Sequence, residues 1–222
     1  MIIKENLPRI LGASQLFVFL ASLVSEQLLR KVVGKGDISS ILENISNNIS
    51  LWRISTWFAL ANSLGIIILG ILFFLVFRTD YKTLATIGLV FFIAEGLSLG
   101  LSKIGALRLI PLGMEFASSG GTSDPSILEL GKLLFYRVDR FGYDIHMLFF
   151  CVGGIIWYYL LFVSGIVPKA LALWGLIAIV MIFIPVVLVL INSDWDKLMV
   201  LGLPYMPFEL VLSIWLISAR FH

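Results

Sequence analysis

Glu95 is a carboxylic acid in the middle of an apolar run, Phe91-Phe92-Ile93-Ala94-Glu95-Gly96. A charge at the centre of a bilayer costs about 2.5–3.5 kcal/mol on insertion scales, so such an acid is expected to face other helices and not lipid. Two interpretations stay open. The carboxyl group couples to a proton or cation or anchors a polar ligand, or it hydrogen-bonds a neighbouring helix through a group such as Asn62 or Ser63.

Glu209 is a second acid in an apolar run, and it follows two prolines, Pro204 and Pro207. Because each proline removes a backbone donor, the pair predicts a helix break or hinge, as does Pro168 between two other runs. Broken helices at membrane depth often form ion or ligand sites. In the simpler interpretation, the last helix begins at Pro207 and Glu209 lies in its first turn, where a carboxylate suits the helix dipole.

His146 closes the short segment Asp144-Ile145-His146 and can carry a proton or bind a metal. A metal site needs three or four ligands, and the other histidine of the chain is the terminal His222. We therefore expect no metal and no cofactor, and we expect His146 and Asp144 to anchor a span at the membrane surface. A span beginning after His146 would place Glu95 about 15 Å deeper, which argues against a catalytic trio of these residues.

The composition indicates that membrane helices position these groups. Apolar residues make up 59% of the 222 residues, charged residues make up 14%, and the mean hydropathy is +1.02. A soluble domain this apolar could not cover its own surface, which argues against a water-soluble enzyme. So apolar a composition also rules out a disordered chain. The net charge of +2 gives no sign of a nucleic-acid partner, and the single cysteine, Cys151, rules out an intramolecular disulfide.

Six runs are long enough to cross a hydrocarbon core of ~30 Å, which takes ~20 apolar residues in a helix. Their apolar residues cover every face, whereas a surface helix shows one stripe and a barrel strand alternates. The predicted fold class is all-α, a polytopic membrane helix bundle forming one integral membrane domain over residues 1–222. The predicted spans are residues 10–29, 54–77, 83–102, 147–167, 170–192 and 198–218.

Two long loops are predicted to carry short helices at the membrane interface. In the first loop, isoleucines and a leucine recur at helical spacing from Ile38 to Ile49. In the third loop, Asp124-Pro125 predicts a capped helix from Ser126 to Arg140 that ends near Gly142.

Basic residues near the spans predict the orientation. The two termini and the second and fourth loops share one side, which carries Lys4, Arg9, Arg78, Lys82, Lys169 and Arg220. The other side has ten basic residues, but most lie in long loops beside nine acids. We therefore expect both termini in the cytoplasm. The first run follows basic residues as a signal peptide does, but its uncharged part is long, so we expect it to be retained. Trp52, Trp57, Trp195 and Tyr205 are typical of an aromatic belt.

Several short segments, in this order, resemble a bacterial family of multi-pass membrane proteins, the domain of unknown function 4386 (DUF4386). They are Pro8-Arg9-Ile10-Leu11-Gly12, the lone acid of the third span, Ser164-Gly165-Ile166-Val167-Pro168-Lys169, and Pro207-Phe208-Glu209 with Trp215 and Arg220-Phe221. Many members have Arg where this chain has Lys169, and the long third loop is the least similar part. The resemblance implies a bacterial inner-membrane location and no particular activity, and it directs attention to Glu95, His146, Pro168 and Glu209.

Three functions remain open from the sequence. The first is a non-enzymatic membrane module that binds a hydrophobic or amphipathic small molecule, a lipid or a partner protein, since the chain has no catalytic motif. The second is a cation- or proton-coupled secondary transporter or channel that uses Glu95, Glu209, His146 or Asn62. The third is an intramembrane enzyme that modifies lipid. We favour the first. The expected partner is the lipid bilayer, and association into oligomers is left open.

Overall fold

The fold is all-helical in a computed structural model that describes residues 2–120 and 125–218, with side chains for residues 6–120, 125–192, 195 and 197–218. No strand occurs within these ranges. The helices are α1 (Ile2–Val33), α2 (Ile38–Asn47), α3 (Ile49–Phe77), α4 (Lys82–Ser118), α5 (Pro125–Lys132), a π-helical segment (Leu133–Arg140), α6 (Phe141–Ser164), α7 (Lys169–Ile191), a 3₁₀ segment (Ser193–Gly202) and α8 (Tyr205–Ser218).

Six helical stretches of the described chain are long and apolar enough to cross a membrane, and they coincide with the six predicted spans. They are Asn6–Val33, Ile49–Phe77, Lys82–Ser118, Pro125–Ser164, Lys169–Ile191 and Lys197–Ser218. The predicted membrane helix bundle is therefore confirmed. Several stretches are longer than predicted, because a charged residue ends an apolar run without ending the hydrogen-bonded helix.

The third loop differs most from its prediction. Residues 103–118 continue α4 as helix instead of forming a loop. The short helix predicted for the third loop does begin with a proline, at Pro125. It does not end near Gly142, because it continues through the π-helical segment into α6. Gly142 instead permits a close approach, since a Cβ added there would lie 2.6 Å from the Cβ of Ser102. The predicted cap, Asp124, lies outside the described residues.

The three prolines predicted to break helices lie at or near helix ends. Pro168 precedes α7 with ψ at 132°, which is extended backbone, while Gly165 just before it has φ at 68°. Pro204 lies in the turn before α8. Pro207 lies within the first turn of α8, because that helix begins at Tyr205 and not at Pro207 as in the simpler interpretation of the sequence.

The chain forms two compact units, which are described separately. Unit 1 comprises Met1–Phe19, Leu64–Gly96 and Asp144–His222. Unit 2 comprises Leu20–Ser63 and Leu97–Tyr143. The prediction of one integral membrane domain over the whole chain stays a prediction.

An aromatic cluster lies in the core of unit 1. Trp157 of α6 stacks on Phe73 of α3 with a centroid separation of 4.8 Å, and it meets Phe92 of α4 edge-on at 5.7 Å. Gly153 permits this packing, because a Cβ there would lie 3.0 Å from the Phe92 ring. Large rings and a glycine thus bring α3, α4 and α6 together.

The short helix α2 belongs to the core of unit 2. It is the helix predicted for the first loop, and Asp37 caps it by accepting a hydrogen bond from the Ser40 amide at 3.1 Å. Its apolar face is buried against protein. The cluster around it includes Leu29, Val32, Ile38, Ile41, Leu42, Ile45, Trp52, Leu109, Ile110, Phe116, Ile127 and Phe135.

Candidate functional site in two buried polar clusters

Glu95 of α4 and His146 of α6 lie together in unit 1. Glu95 Oε1 is 3.9 Å from His146 Nδ1, and the same ring nitrogen is 3.4 Å from the Glu95 carbonyl oxygen. Glu95 is 3% exposed and His146 is 6% exposed. The prediction that Glu95 faces protein is confirmed.

His146 is not at a surface about 15 Å from Glu95, so that prediction was wrong. The fourth span was predicted to begin at Met147, because the uncharged apolar run starts only after Arg140 and Asp144. The helix in fact starts well before His146, since α6 begins at Phe141 and follows α5 without a break. His146 therefore lies inside a long helix, beside the acid of α4.

The second oxygen of Glu95 has no hydrogen-bond partner among the described residues. This oxygen, Oε2, is buried. An unpaired buried polar atom costs about 1–3 kcal/mol, so the site has unused capacity to bind a proton or a small cation. A multi-ligand transition-metal site is a different matter, because no three His, Cys, Asp or Glu side chains of the described chain are grouped closely enough to hold one.

Glu209 is the centre of a second polar group in unit 1. Its Oε1 accepts hydrogen bonds from Gln15 Nε2 of α1 at 2.9 Å and from the Tyr205 hydroxyl of α8 at 3.1 Å. The Tyr205 hydroxyl also bonds the Tyr158 hydroxyl of α6. Tyr205 was predicted to belong to an aromatic belt at a membrane surface. That prediction was wrong, because the residue is only 5% exposed.

The two acids of unit 1 share one electrostatic environment. The carboxyl group of Glu209 is near enough to Glu95 for the two to repel each other when both are charged. Gln15 and Tyr205 donate to Glu209, whereas Glu95 faces the ring nitrogen of His146. The sequence indicated Glu95 and Glu209 as separate candidates, but it did not predict that both acids lie in the same unit.

Unit 2 contains a buried ion pair that the sequence reasoning missed. Lys103 Nζ of α4 donates to Asp139 Oδ1 of the π-helical segment at 2.7 Å. The two side chains are 4% and 0% exposed, and Asp139 Oδ2 has no partner among the described residues. The sequence predicted Lys103 in the third loop and Asp139 in the short helix of that loop. The mostly apolar stretch that follows Lys103, from Ile104 to Leu112 and interrupted by Arg108, was the available sign that the helix continues.

A polar cleft opens beside this ion pair in unit 2. It has room for about one water molecule beyond the atoms that line it. Asn62 of α3 is 5% exposed, and its Oδ1 has no hydrogen-bond partner in the described part of the chain. The polar lining residues are Ser22, Ser25, Glu26, Asn62, Lys103 and Tyr143.

Side-chain bonds to backbone atoms hold the helices around the cleft. Ser25 Oγ of α1 donates to the Ser55 carbonyl at 2.9 Å, and Ser55 Oγ of α3 donates to the Ser25 carbonyl at 2.8 Å. Trp52 Nε1 donates to the Ala106 carbonyl of α4 at 2.7 Å. Trp52 is thus a buried cross-link and not the belt residue that was predicted, whereas Trp57 is 64% exposed.

Comparison with known proteins places the chain in one family. The family described as a domain of unknown function, DUF4386, matches residues 10–219. No curated protein and no solved structure matches the chain. Because the match covers nearly the whole sequence and the family resemblance was predicted from the segments at Pro8, Pro168 and Pro207, the chain belongs to the DUF4386 family.

Proposed function

We propose that the protein is a proton-coupled secondary transporter of a bacterial inner membrane, with both termini in the cytoplasm. The observation that carries this proposal is the buried pair of Glu95 and His146, whose Oε1 and Nδ1 atoms are 3.9 Å apart. A carboxyl group and an imidazole are the two side chains most often used as proton relays inside membranes. This assigns to Glu95 the coupling role that the sequence left open.

The surroundings of Glu95 favour a proton over a larger cation. A cation such as Na⁺ takes several oxygen ligands, whereas Glu95 Oε1 faces a ring nitrogen, His146 Nδ1, at 3.9 Å. A proton needs only one acceptor, and it removes the cost of a charge in hydrocarbon. Protonation of Glu95 would also relieve its repulsion with Glu209. Uptake of a proton would therefore weaken the electrostatic repulsion between α4 and α8 within unit 1.

An enzyme that modifies lipid is less well supported. General acid–base catalysis needs its groups within hydrogen-bond reach of the substrate. Glu95 and His146 lie close to each other in the structure, so the expected separation of about 15 Å no longer argues against such chemistry. Both side chains, however, are almost fully buried. That burial suits groups that exchange protons better than groups that must touch an acyl chain or headgroup.

The test is proton movement in proteoliposomes that contain a pH-sensitive dye. Sodium, potassium, simple amines and organic anions are added in turn under an imposed pH gradient. We expect one of these solute classes to start proton movement with the natural chain, and Glu95→Gln to abolish it. His146→Gln is expected to slow it strongly, because the carboxyl loses its proton partner.

Glu115→Gln is the matched control, because Glu115 is an exposed acid on the same helix, α4. It should leave proton movement unchanged. Proton movement that survives Glu95→Gln at the natural rate would remove this acid from the mechanism. A natural chain that moves no protons with any of these solutes would contradict transport itself.

A second candidate is a non-enzymatic module that binds an amphipathic small molecule or lipid. The polar cleft of unit 2 favours it, because Asn62 lines this cleft and its buried Oδ1 has no hydrogen-bond partner among the described residues. Saturable binding of an amphipathic probe without turnover would support this candidate. The lipid bilayer is the partner that both candidates require.

A further inference from the structure

Asn62 defines what a ligand of the unit 2 cleft must offer. Its side chain is 5% exposed and lines the cleft, and its Oδ1 has no hydrogen-bond partner among the described residues. An amide oxygen only accepts hydrogen bonds. A bound group that donates a hydrogen bond would satisfy this oxygen, which a carboxylate or a fully ionised phosphate cannot do.

Lys103 defines the second requirement. Its ammonium group carries three hydrogens, of which Asp139 Oδ1 accepts one. The same side chain lines the cleft, so it can donate to an acceptor on the ligand. Its positive charge also disfavours an amine, since two like charges in a buried cleft repel each other.

Glu26 lines the same cleft and disfavours anions. Its Oε1 pairs with Arg30 at 2.9 Å, and its side chain is 30% exposed. A group that both donates and accepts, without a charge, satisfies Asn62 and Lys103 together. A hydroxyl group is the smallest group with these properties.

The size and apolar lining of the cleft define the rest of the ligand. Leu29, Ala59 and Leu99 are buried apolar lining residues, and the room inside is that of about one water molecule. A hydroxyl group alone fills that space, so the apolar chain that carries it must extend outside past the exposed Ser22.

We propose that the cleft of unit 2 binds the hydroxyl head of a neutral amphipathic molecule, either a long-chain alcohol or an acylglycerol. This inference rests on the second candidate function and names the ligand class for it. It is independent of Glu95 and His146, which belong to unit 1.

The test uses photoreactive probes with one common acyl chain and three different heads, a hydroxyl, a primary ammonium and a carboxylate. The full chain is reconstituted in liposomes, labelled, and digested to locate the labelled residues by mass spectrometry. We expect saturable labelling of the cleft by the hydroxyl probe. Competition by an unlabelled long-chain alcohol and by a diacylglycerol then shows which source of the hydroxyl binds more tightly.

Asn62→Leu provides the matched variant, because leucine has a similar size and removes the unpaired oxygen. Its apparent affinity for the hydroxyl probe should fall about tenfold through loss of one buried hydrogen bond. The variant should stay folded, since an unsatisfied buried acceptor has been removed. Asn44→Leu, in α2 and outside the cleft lining, should bind the probe as the natural chain does.

The outcomes separate the ligand class from the binding function. Tighter labelling of the cleft by the ammonium or carboxylate probe would overturn the hydroxyl assignment and leave a binding module in place. Labelling of the cleft that is equal in Asn62→Leu and the natural chain would also overturn it. Absence of saturable cleft labelling by all three probes would overturn both the assignment and the second candidate function.

Discussion

Lys103 and Asp139 form a hydrogen-bonded ion pair of 2.7 Å in which neither side chain is more than 4% exposed. Removing one partner would leave the other charge buried and uncompensated, which typically costs about 3–5 kcal/mol of stability. We expect Lys103→Met and Asp139→Leu each to lower stability in this range. The double variant should lose much less than the sum of the two, as reversible unfolding in lipid–detergent micelles can measure.

A second ion pair supplies the control for this prediction. Lys132 and Glu129 are 2.7 Å apart, but their side chains are 51% and 71% exposed. Exposed pairs contribute about 0–1 kcal/mol, so Lys132→Met should change stability little. Equal losses for Lys103→Met and Lys132→Met would contradict the structural role assigned to the buried pair.

The hydrogen bond from Gln15 to Glu209 gives a second prediction. Gln15 is 3% exposed and donates to Glu209 Oε1 at 2.9 Å. Among the described residues, Gln15→Leu leaves Glu209 Oε1 with the hydrogen bond from the Tyr205 hydroxyl, so stability should fall by about 1–3 kcal/mol. Tyr205→Phe should have a comparable effect on thermal unfolding. Tyr159→Phe, at a tyrosine that is 47% exposed, is the control and should unfold as the natural chain does.

The cap of α2 should weaken in strong acid. Hydrogen bonds from the Ser39 hydroxyl, the Ser40 amide and the Ser40 hydroxyl lower the pKa of Asp37 from 3.8 to about 2. Because the folded pKa is depressed, the cap stabilises α2 fully above pH 3.8, and this contribution is lost as the pH falls through about 2.

Amide hydrogen exchange of α2, corrected for the intrinsic exchange rate at each pH, measures this loss of protection. Asp37→Ala should lower protection above pH 3.8 to the level that the natural chain reaches in strong acid, and it should remove the pH dependence. Asp37→Asn retains a capping oxygen without a titrating group, so its protection should not change with pH in this range. Unchanged protection of the natural chain between pH 4 and about pH 2 would contradict the capping role.

Gly12 should tolerate no larger residue. A Cβ at this position would lie 2.7 Å from the Leu216 Cβ and 2.8 Å from the Ser213 carbonyl oxygen of α8. Because backbone atoms stand in the way, Gly12→Ala should lower stability by about 1–3 kcal/mol through overpacking. Ala13→Ser adds one atom at an exposed neighbour and should unfold at the same temperature as the natural chain. A stable Gly12→Ala variant would contradict the close approach of α1 to α8.

The sequence predicted those features that depend on local physics. The cost of a charge in hydrocarbon predicted that Glu95 is buried, and the length of the apolar runs predicted six spans. The isoleucines and leucine at helical spacing from Ile38 to Ile49 predicted α2, although Ile49 itself begins α3. The proline at position 125 predicted the start of α5.

The pairing of side chains on different helices could not be predicted in the same way. Whether His146 meets Glu95, or Lys103 meets Asp139, depends on the rotation of each helix about its axis and on which helices are neighbours. A single sequence contains no direct signal for either quantity. The error for His146 lay in the predicted start of its helix. The charged Asp144 marks the beginning of the apolar run, but the helix begins before it, at Phe141.

The π-helical segment Leu133–Arg140 limits which insertions and deletions the chain can accept. It contains both Phe135, which is buried in the unit 2 core, and Asp139, which pairs with Lys103. Loss of one residue between these two would turn them relative to each other by about 100° in an α-helical frame. Only one of the two side chains could then keep its partner, so the length of this segment is constrained as strongly as its composition.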